Sequence, residues 1–167
     1  MSIEIERKYI IKKPEIENLV GKESYSVSEI EQIYLESDSG THRIRKRSYA
    51  DRTVFTETRK IRIDKISSVE DEREITENEY NELKKKQKKN TVVLKKTRHV
   101  FFENGQIFEV DIYPEWKRTA IMETELKNRT TQAEIPACIE IIKEVTGIKE
   151  YTNAEMSKSF PSESEFM

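Results

Sequence analysis

Polar and apolar residues alternate one for one through most of this chain, the period of a strand with one side buried. From Ile3 to Ile11 the alternation puts Ile3, Ile5 and Tyr9 on one face and Glu4, Glu6 and Lys8 on the other. The same reading predicts strands over 31–35, 42–49, 54–63 and 69–75, with Ser37-Asp38-Ser39-Gly40 as a turn. Val92 to Phe102 and Gln106 to Tyr113 flank Asn104-Gly105, a dipeptide suited to two-residue hairpin loops. Counting outward from that loop pairs Glu103 with Gln106, Val100 with Glu109, Arg98 with Asp111 and Lys96 with Tyr113. Lys96, Arg98, Glu109 and Asp111 then share one face, and Phe101, Phe108, Val110 and Ile112 the other. Ala120 to Lys127 adds a strand with Glu123 and Glu125 opposite Met122, Thr124 and Leu126. Eight strands, mostly adjacent in sequence, predict an antiparallel, mainly β (α+β) fold.

The period lengthens in a few places. Pro14 opens a short helical candidate that reaches Leu19. Thr76-Glu77-Asn78-Glu79 has the form of a capping box, and its helix runs through Tyr80 and Leu83 into the lysines at 84–89. Thr131, with Glu134 three residues later, predicts a second capped helix carrying Ile135, Ile139, Ile142 and Val145 and stopping at Gly147. Residues 151–160 form a short terminal segment, and the tail after Pro161 is expected to fray, which makes 1–160 one domain and 161–167 a tail.

The charged face is unusual. Charges recur at alternate positions as Glu4/Glu6/Lys8, Arg43/Arg45, Glu72/Glu74, Lys96/Arg98, Glu109/Asp111 and Glu123/Glu125. An ordinary sheet facing water on one side is the simplest account. Several strands, however, carry pairs of one sign, and like charges this close cost free energy unless something compensates them. A divalent cation compensates acidic pairs, and a polyanion compensates basic ones. If the strands close into a barrel, the charged face becomes an interior, and unpaired charge cannot line a dry core. It would be a wet tunnel.

Composition narrows the classes. The chain has 167 residues, with 30 Lys plus Arg against 32 Asp plus Glu and a net charge of −2, without the basic excess of a nucleic-acid binder. Mean hydropathy is −0.81, and no apolar run approaches the roughly 20 residues of a spanning helix. The N-terminus has neither a basic start nor an apolar stretch, so no signal peptide is expected and a cytoplasmic location is. One cysteine, Cys138, excludes a disulfide framework. Two histidines, His42 and His99, make a multi-histidine zinc site unpromising, and both are expected to be plain strand residues.

Glu4-Ile5-Glu6-Arg7-Lys8 resembles the ExExK strand of the CYTH superfamily, the triphosphate tunnel metalloenzymes. The rest follows in order: Gln32-Ile33-Tyr34-Leu35, Arg43-Ile44-Arg45, Thr58-Arg59-Lys60, Glu72-Arg73-Glu74, Lys96-Thr97-Arg98, Glu109-Val110-Asp111, Glu123-Thr124-Glu125, and a tail with Lys149, Tyr151 and Asn153. The likeness spans Ile3 to about Met156 and is strongest to short bacterial members that hydrolyse inorganic triphosphate.

The resemblance implies a closed eight-stranded antiparallel β-barrel with a polar tunnel and a few flanking helices. It implies Mg²⁺ or Mn²⁺ on Glu4, Glu6, Glu123 and Glu125, with Glu72, Glu74 and Asp111 as further candidates. Lys8, Arg43, Arg45, Lys60, Lys96 and Arg98 would hold triphosphate oxygens. In one branch a Tyr–Lys pair takes part in the chemistry; Tyr34 and Lys60 match it, with Lys8 nearby in the pattern. The strand around Lys60 is charged on both faces, so Arg59 and Arg62 compete with Lys60 for the interior. The histidine signature of class IV adenylate cyclases is missing. The expected function is metal-dependent hydrolysis of inorganic triphosphate. An organic triphosphatase acting on thiamine triphosphate or a nucleotide, and a non-catalytic polyphosphate-binding module, are the alternatives. A homodimer stays open, and neither membrane nor specific nucleic acid is expected as a partner.

Overall fold

The computed structural model describes residues 1–167. Its strands are β1 (Ser2–Lys12), β2 (Glu23–Leu35), β3 (Thr41–Ser48), β4 (Thr53–Arg62), β5 (Ser67–Ile75), β6 (Leu94–Glu103), β7 (Gln106–Ile112), β8 (Thr119–Glu125) and β9 (Ile141–Glu144). Three short helices accompany them: α1 (Glu17–Val20), α2 (Glu77–Lys84) and α3 (Asn153–Met156). The strands run in the order β5-β4-β3-β2-β6-β7-β8-β1, and β1 pairs back onto β5, so eight antiparallel strands close a barrel. The first strand makes the closure. Ser2–Ile5 pair with β5, while Glu6–Lys12 pair with β8. Along Tyr9–Ile11, where β5 no longer reaches, β9 takes the open edge.

The Asn104-Gly105 hairpin has the register read from the sequence: Glu103 opposite Gln106, Val100 opposite Glu109, Arg98 opposite Asp111. Both loop residues have positive φ, 53° and 74°, as a twist-matched two-residue turn requires. At Gly40 (φ 62°) an added Cβ would lie 2.2 Å from the Lys60 carbonyl oxygen, so only glycine lets the β2–β3 turn press against β4 there.

The apolar core lies outside the barrel. Tyr9, Ile11, Phe101, Phe108, Val110, Ala120 and Met122 form its main cluster on the outer face of β1, β6, β7 and β8, covered by Leu19 and Ile139. A second cluster, Ile33, Leu35, Ile44 and Ile75, is covered by Tyr80 of α2. One end of the barrel is sealed by Ile10, Val145 and Tyr151, and by Tyr113, Trp116, Ile121 and Met156. The alternate face therefore points inward. No helix is long and apolar enough to cross a membrane.

Three expectations fail locally. The helix predicted from Thr131 does not form; 128–140 is irregular and leads into β9. Pro136 in its middle removes an amide donor and clashes with a preceding turn. The Asn128 side chain instead accepts from the amides of Thr130 and Thr131, fixing a loop. Ile135, Cys138 and Ile139 still pack on the main cluster, so the pattern marked burial correctly and the element wrongly. The N-terminal helix shrinks to Glu17–Val20. The tail does not fray: Trp116 Nε1 donates to the Pro161 carbonyl at 2.8 Å, Phe166 stacks edge-on against Trp116, and Glu163 accepts from the Lys117 and Arg118 amides.

Candidate functional site

The barrel encloses a cavity of about 400 Å³ lined by 22 residues. Register decides which side chains reach it, and closure decides which of them meet. Going round the ring, β7, β8, β1 and β5 contribute Glu109, Glu123, Glu125, Glu4, Glu6, Glu70 and Glu72, a continuous acidic wall. β4, β3 and β6 contribute Lys60, Arg62, Arg43, Arg45, Arg47 and Arg98, the opposite wall, with Tyr34 of β2 among them. Lys60 of β4 stands at the junction with β5, and Lys8 of β1 stands within the acidic wall. Lys60 Nζ lies 3.5 Å from Glu6, 3.7 Å from Glu4 and 3.8 Å from Glu70. Lys8 Nζ lies 3.1 Å from Glu123 and donates to the Tyr151 carbonyl at 3.3 Å.

Each wall is crowded with its own sign. Burial and then Glu70 push the Glu4 carboxyl up to about 7. Glu123 and then burial push Glu6 up to about 7. Glu125 also moves upward, through burial and the charges of Glu109 and Glu123. Glu123 itself is held down, because Lys8 and Arg98 outweigh its burial. On the basic side, burial and then Arg43 and Arg98 push Arg45 down to about 9. Arg43 Nε is the one buried side-chain polar atom without a hydrogen-bond partner. Such a group costs free energy unless a ligand satisfies it.

The carboxylate set, all hard oxygen donors, fits a divalent cation such as Mg²⁺ in kind and charge. As the side chains stand, no three of them gather at one point. They line one side of the cavity.

The structure brings together Glu4, Glu6, Glu123, Glu125, Glu72, Lys8, Arg43, Arg45, Lys60, Arg98 and Tyr34 on the cavity. It sets three expected residues apart. Glu74 is exposed outside the lining, too far along β5 to face the others. Asp111 and Lys96 lie buried beneath the lining. Asp111 accepts from Arg98 Nε at 2.7 Å and Arg98 NH2 at 2.8 Å, and pairs with Lys96 Nζ at 2.8 Å. Burial opposes its charge, yet Arg98 and Lys96 outweigh that and keep the carboxyl well below the usual range. These bonds leave Asp111 engaged as the anchor that aims Arg98, rather than free toward the cavity.

Lys60 and Arg62 face inward, whereas Arg59 points out, 3.9 Å from Glu57. Tyr34 and Lys60 share the cavity without a hydrogen bond between them; the Tyr34 hydroxyl is held by Gln32 at 2.8 Å. His42 pairs with Glu57 outside the barrel and His99 with Tyr25, both structural. Sequence reading left Glu70 and Arg47 out of the site and gave Glu109 no role there, while Arg62, weighed only as a rival to Lys60, joins it on the lining. A signal existed for the first two: Glu70 stands two before Glu72 and Arg47 two after Arg45, on the same faces. The terminal segment adds Lys149 and Asn153, the latter accepting from Tyr113 at 2.5 Å and Lys96 at 3.4 Å.

No known family model and no curated protein sequence matches this chain. Solved structures do. The inorganic triphosphatase NE1496 superposes with a TM-score of 0.57 at 21% identity, over 97% of this chain and 99% of that one. PH1819 from Pyrococcus horikoshii OT3 gives a TM-score of 0.58 at 24% identity, over 75% and 80%. HpAC1 from Hippeastrum, assigned as an adenylyl cyclase but with a dominant triphosphatase activity, gives 0.50 at 14%, over 74% and 80%. At these identities the likeness is one of fold, and the barrel expected from the CYTH resemblance is the barrel this chain shares, over nearly its whole length, with the inorganic triphosphatase NE1496.

Proposed function

We propose that this protein hydrolyses inorganic triphosphate to pyrophosphate and phosphate with a divalent metal, Mg²⁺ or Mn²⁺. The observation that carries the reading is the opposition of an acidic and a basic wall across one closed cavity. A bare polyanion satisfies the basic wall and a bound cation the acidic one, and each then neutralises the other. NE1496, similar in fold over the full length, is an inorganic triphosphatase.

Glu4, Glu6, Glu123 and Glu125 would hold the cation, with Glu70, Glu72 and Glu109 within the same wall. When bound, the ion supplies Lewis acidity and charge neutralisation. The chain's own cations do the rest. Arg43, Arg45 and Arg98 take the non-bridging oxygens, Arg98 held in aim by Asp111. Charge that passes to the departing pyrophosphate as its bridging P–O bond breaks is stabilised by these fixed guanidiniums, which need no reorganisation. Lys60 at the wall junction and Lys8 within the acidic wall pair with carboxylates and would contact phosphate as well. Of the lining residues only Tyr34 and Ala154 present apolar side chains, which favours a substrate without a base or thiazole to pack. We read the enzyme as cytoplasmic, acting on a diffusible anion.

The test is phosphate release from inorganic triphosphate, ATP and thiamine triphosphate, each with Mg²⁺ and with chelator. Triphosphate turnover that requires Mg²⁺ is expected. Binding without turnover in Mg²⁺ would establish a binding module instead, and preference for ATP or thiamine triphosphate an organic triphosphatase. Glu6→Gln is expected to lower turnover about 100-fold or more while the protein stays folded; unchanged turnover would remove Glu6 from the metal set.

A further inference from the structure

Gln32 belongs to the barrel interior yet does not line the cavity, and its side chain is fully buried. Its amide oxygen accepts twice from Arg45, from Nε at 3.1 Å and NH2 at 2.8 Å. Arginine has donors only, so the amide oxygen must be the end that faces it. The amide nitrogen is then obliged to face Tyr34, and donates to its hydroxyl at 2.8 Å. The Tyr34 oxygen is thus an acceptor in this bond, and its own proton must point elsewhere. No protein acceptor takes that proton, and Tyr34 lines the cavity. Directly across the β2–β3 ladder from Tyr34 stands Arg43, whose Nε is the unpartnered buried donor. Two donors without acceptors therefore belong to residues paired across adjacent strands, both on the cavity lining.

We propose that Gln32 is a positioning residue: locked by Arg45, it turns the Tyr34 hydroxyl proton into the cavity, where Tyr34 and Arg43 Nε together donate to a phosphate oxygen. Tyr34 then acts as a fixed hydrogen-bond donor rather than as a base. The inference rests on the anion-binding reading above. It goes further by assigning the direction of one proton and the residue that sets it.

Gln32→Glu tests it. The new carboxylate keeps the shape and still accepts from Arg45, but it has no proton to give, so it accepts from Tyr34 and turns that hydroxyl away from the cavity. Inorganic triphosphate binding is measured calorimetrically in chelator, and KM and kcat in Mg²⁺, for the parent, Tyr34→Phe, Gln32→Glu and the double variant, with thermal melts to confirm folding. Tyr34→Phe is expected to raise Kd and KM by about tenfold with kcat little changed, since it removes one bond to a charged acceptor. Gln32→Glu is expected to weaken binding by about tenfold or more. In the Gln32→Glu background, Tyr34→Phe is expected to change Kd and KM by less than about twofold, because that donor is already lost. Independent, multiplying losses in the double variant would overturn the relay, as would parent-like binding by Tyr34→Phe. A Tyr34→Phe loss confined to kcat would mark the hydroxyl as a base. Should Gln32→Glu fail to fold, the KM-against-kcat split of Tyr34→Phe alone decides between donor and base. A parent protein that neither binds nor hydrolyses triphosphate would sink the proposed function itself, a different result from these.

Discussion

Glu6 and Asp111 look alike in the sequence, as carboxylates on charged strand faces, and the structure gives them opposite physics. Asp111 is buried with two cations, accepting two hydrogen bonds from Arg98 and pairing with Lys96 at 2.8 Å. Asp111→Asn strands Lys96 and Arg98 as buried, undercompensated charge, and is expected to cost about 3–5 kcal/mol, read by denaturant or thermal unfolding. Metal affinity per folded molecule is expected to stay close to the parent value, measured by titration of Mn²⁺. Glu6 is pressed by Glu123, and its neutral form is favoured. Glu6→Gln is therefore expected to leave the metal-free protein as stable as the parent or more so, while metal affinity falls. A loss of stability in Glu6→Gln equal to that in Asp111→Asn would refute this division. Alternation alone gave both residues the right face. It did not give their depth along the barrel, which separates an anchor from a free ligand.

At the scale of elements, the sequence was most legible where one local rule acts. The Asn104-Gly105 turn needs positive φ twice, and that fixed the β6–β7 register and all the pairs it entails. The capping box at α2 is likewise local: Thr76 accepts from the Glu79 amide at 3.1 Å and Glu79 from the Thr76 amide at 2.8 Å. α2 packs outside the barrel through Tyr80 and does not line the cavity. Thr76→Ala is therefore expected to cost about 1 kcal/mol of stability, seen as a lowered unfolding midpoint, with KM and kcat unchanged. A change in kcat would mean that α2 influences the tunnel. Segment 128–147 was misread because its apolar spacing fits a helix while Pro136 forbids one. β2 was read too short, since its serine-rich first half carries little apolar signal and is held as a strand by pairing with β6.

Across the whole molecule, the barrel gathers like charges on each wall that internal ion pairs offset only in part, and this ties stability to pH. Glu4 and Glu6 bind protons more tightly folded than unfolded, with values raised from 4.5 to about 7. Their contribution is fully present below about pH 4.5 and is lost as pH rises through about 7. Glu125 acts in the same sense, whereas His99 and Lys96, both lowered by burial, Lys96 to about 7, act in the opposite one. Glu4 and Glu6 titrate across the whole interval and Lys96 only at its upper end, so the metal-free protein is expected to lose stability between pH 5 and 7, by on the order of 1–2 kcal/mol. Mg²⁺ competes with those protons, so the increase in melting temperature it produces is expected to grow from pH 5.5 to 7.5. Melting curves across pH, with Mg²⁺ and with chelator, check both; a Mg²⁺ effect independent of pH would argue that Glu4 and Glu6 do not share the ion.

The sequence by itself determined which side of each strand carries charge, because side-chain direction follows from a backbone period of two and needs no knowledge of neighbours. It also determined the hairpin, the helix cap and the order of motifs. Only the tertiary structure decided that β1 divides itself between β5 and β8, since pairing between strands 60 residues or more apart leaves no local trace. That one closure sets β5 beside β1, β8 and β7, joins their carboxylates into a single wall, and turns it toward the arginines of β3.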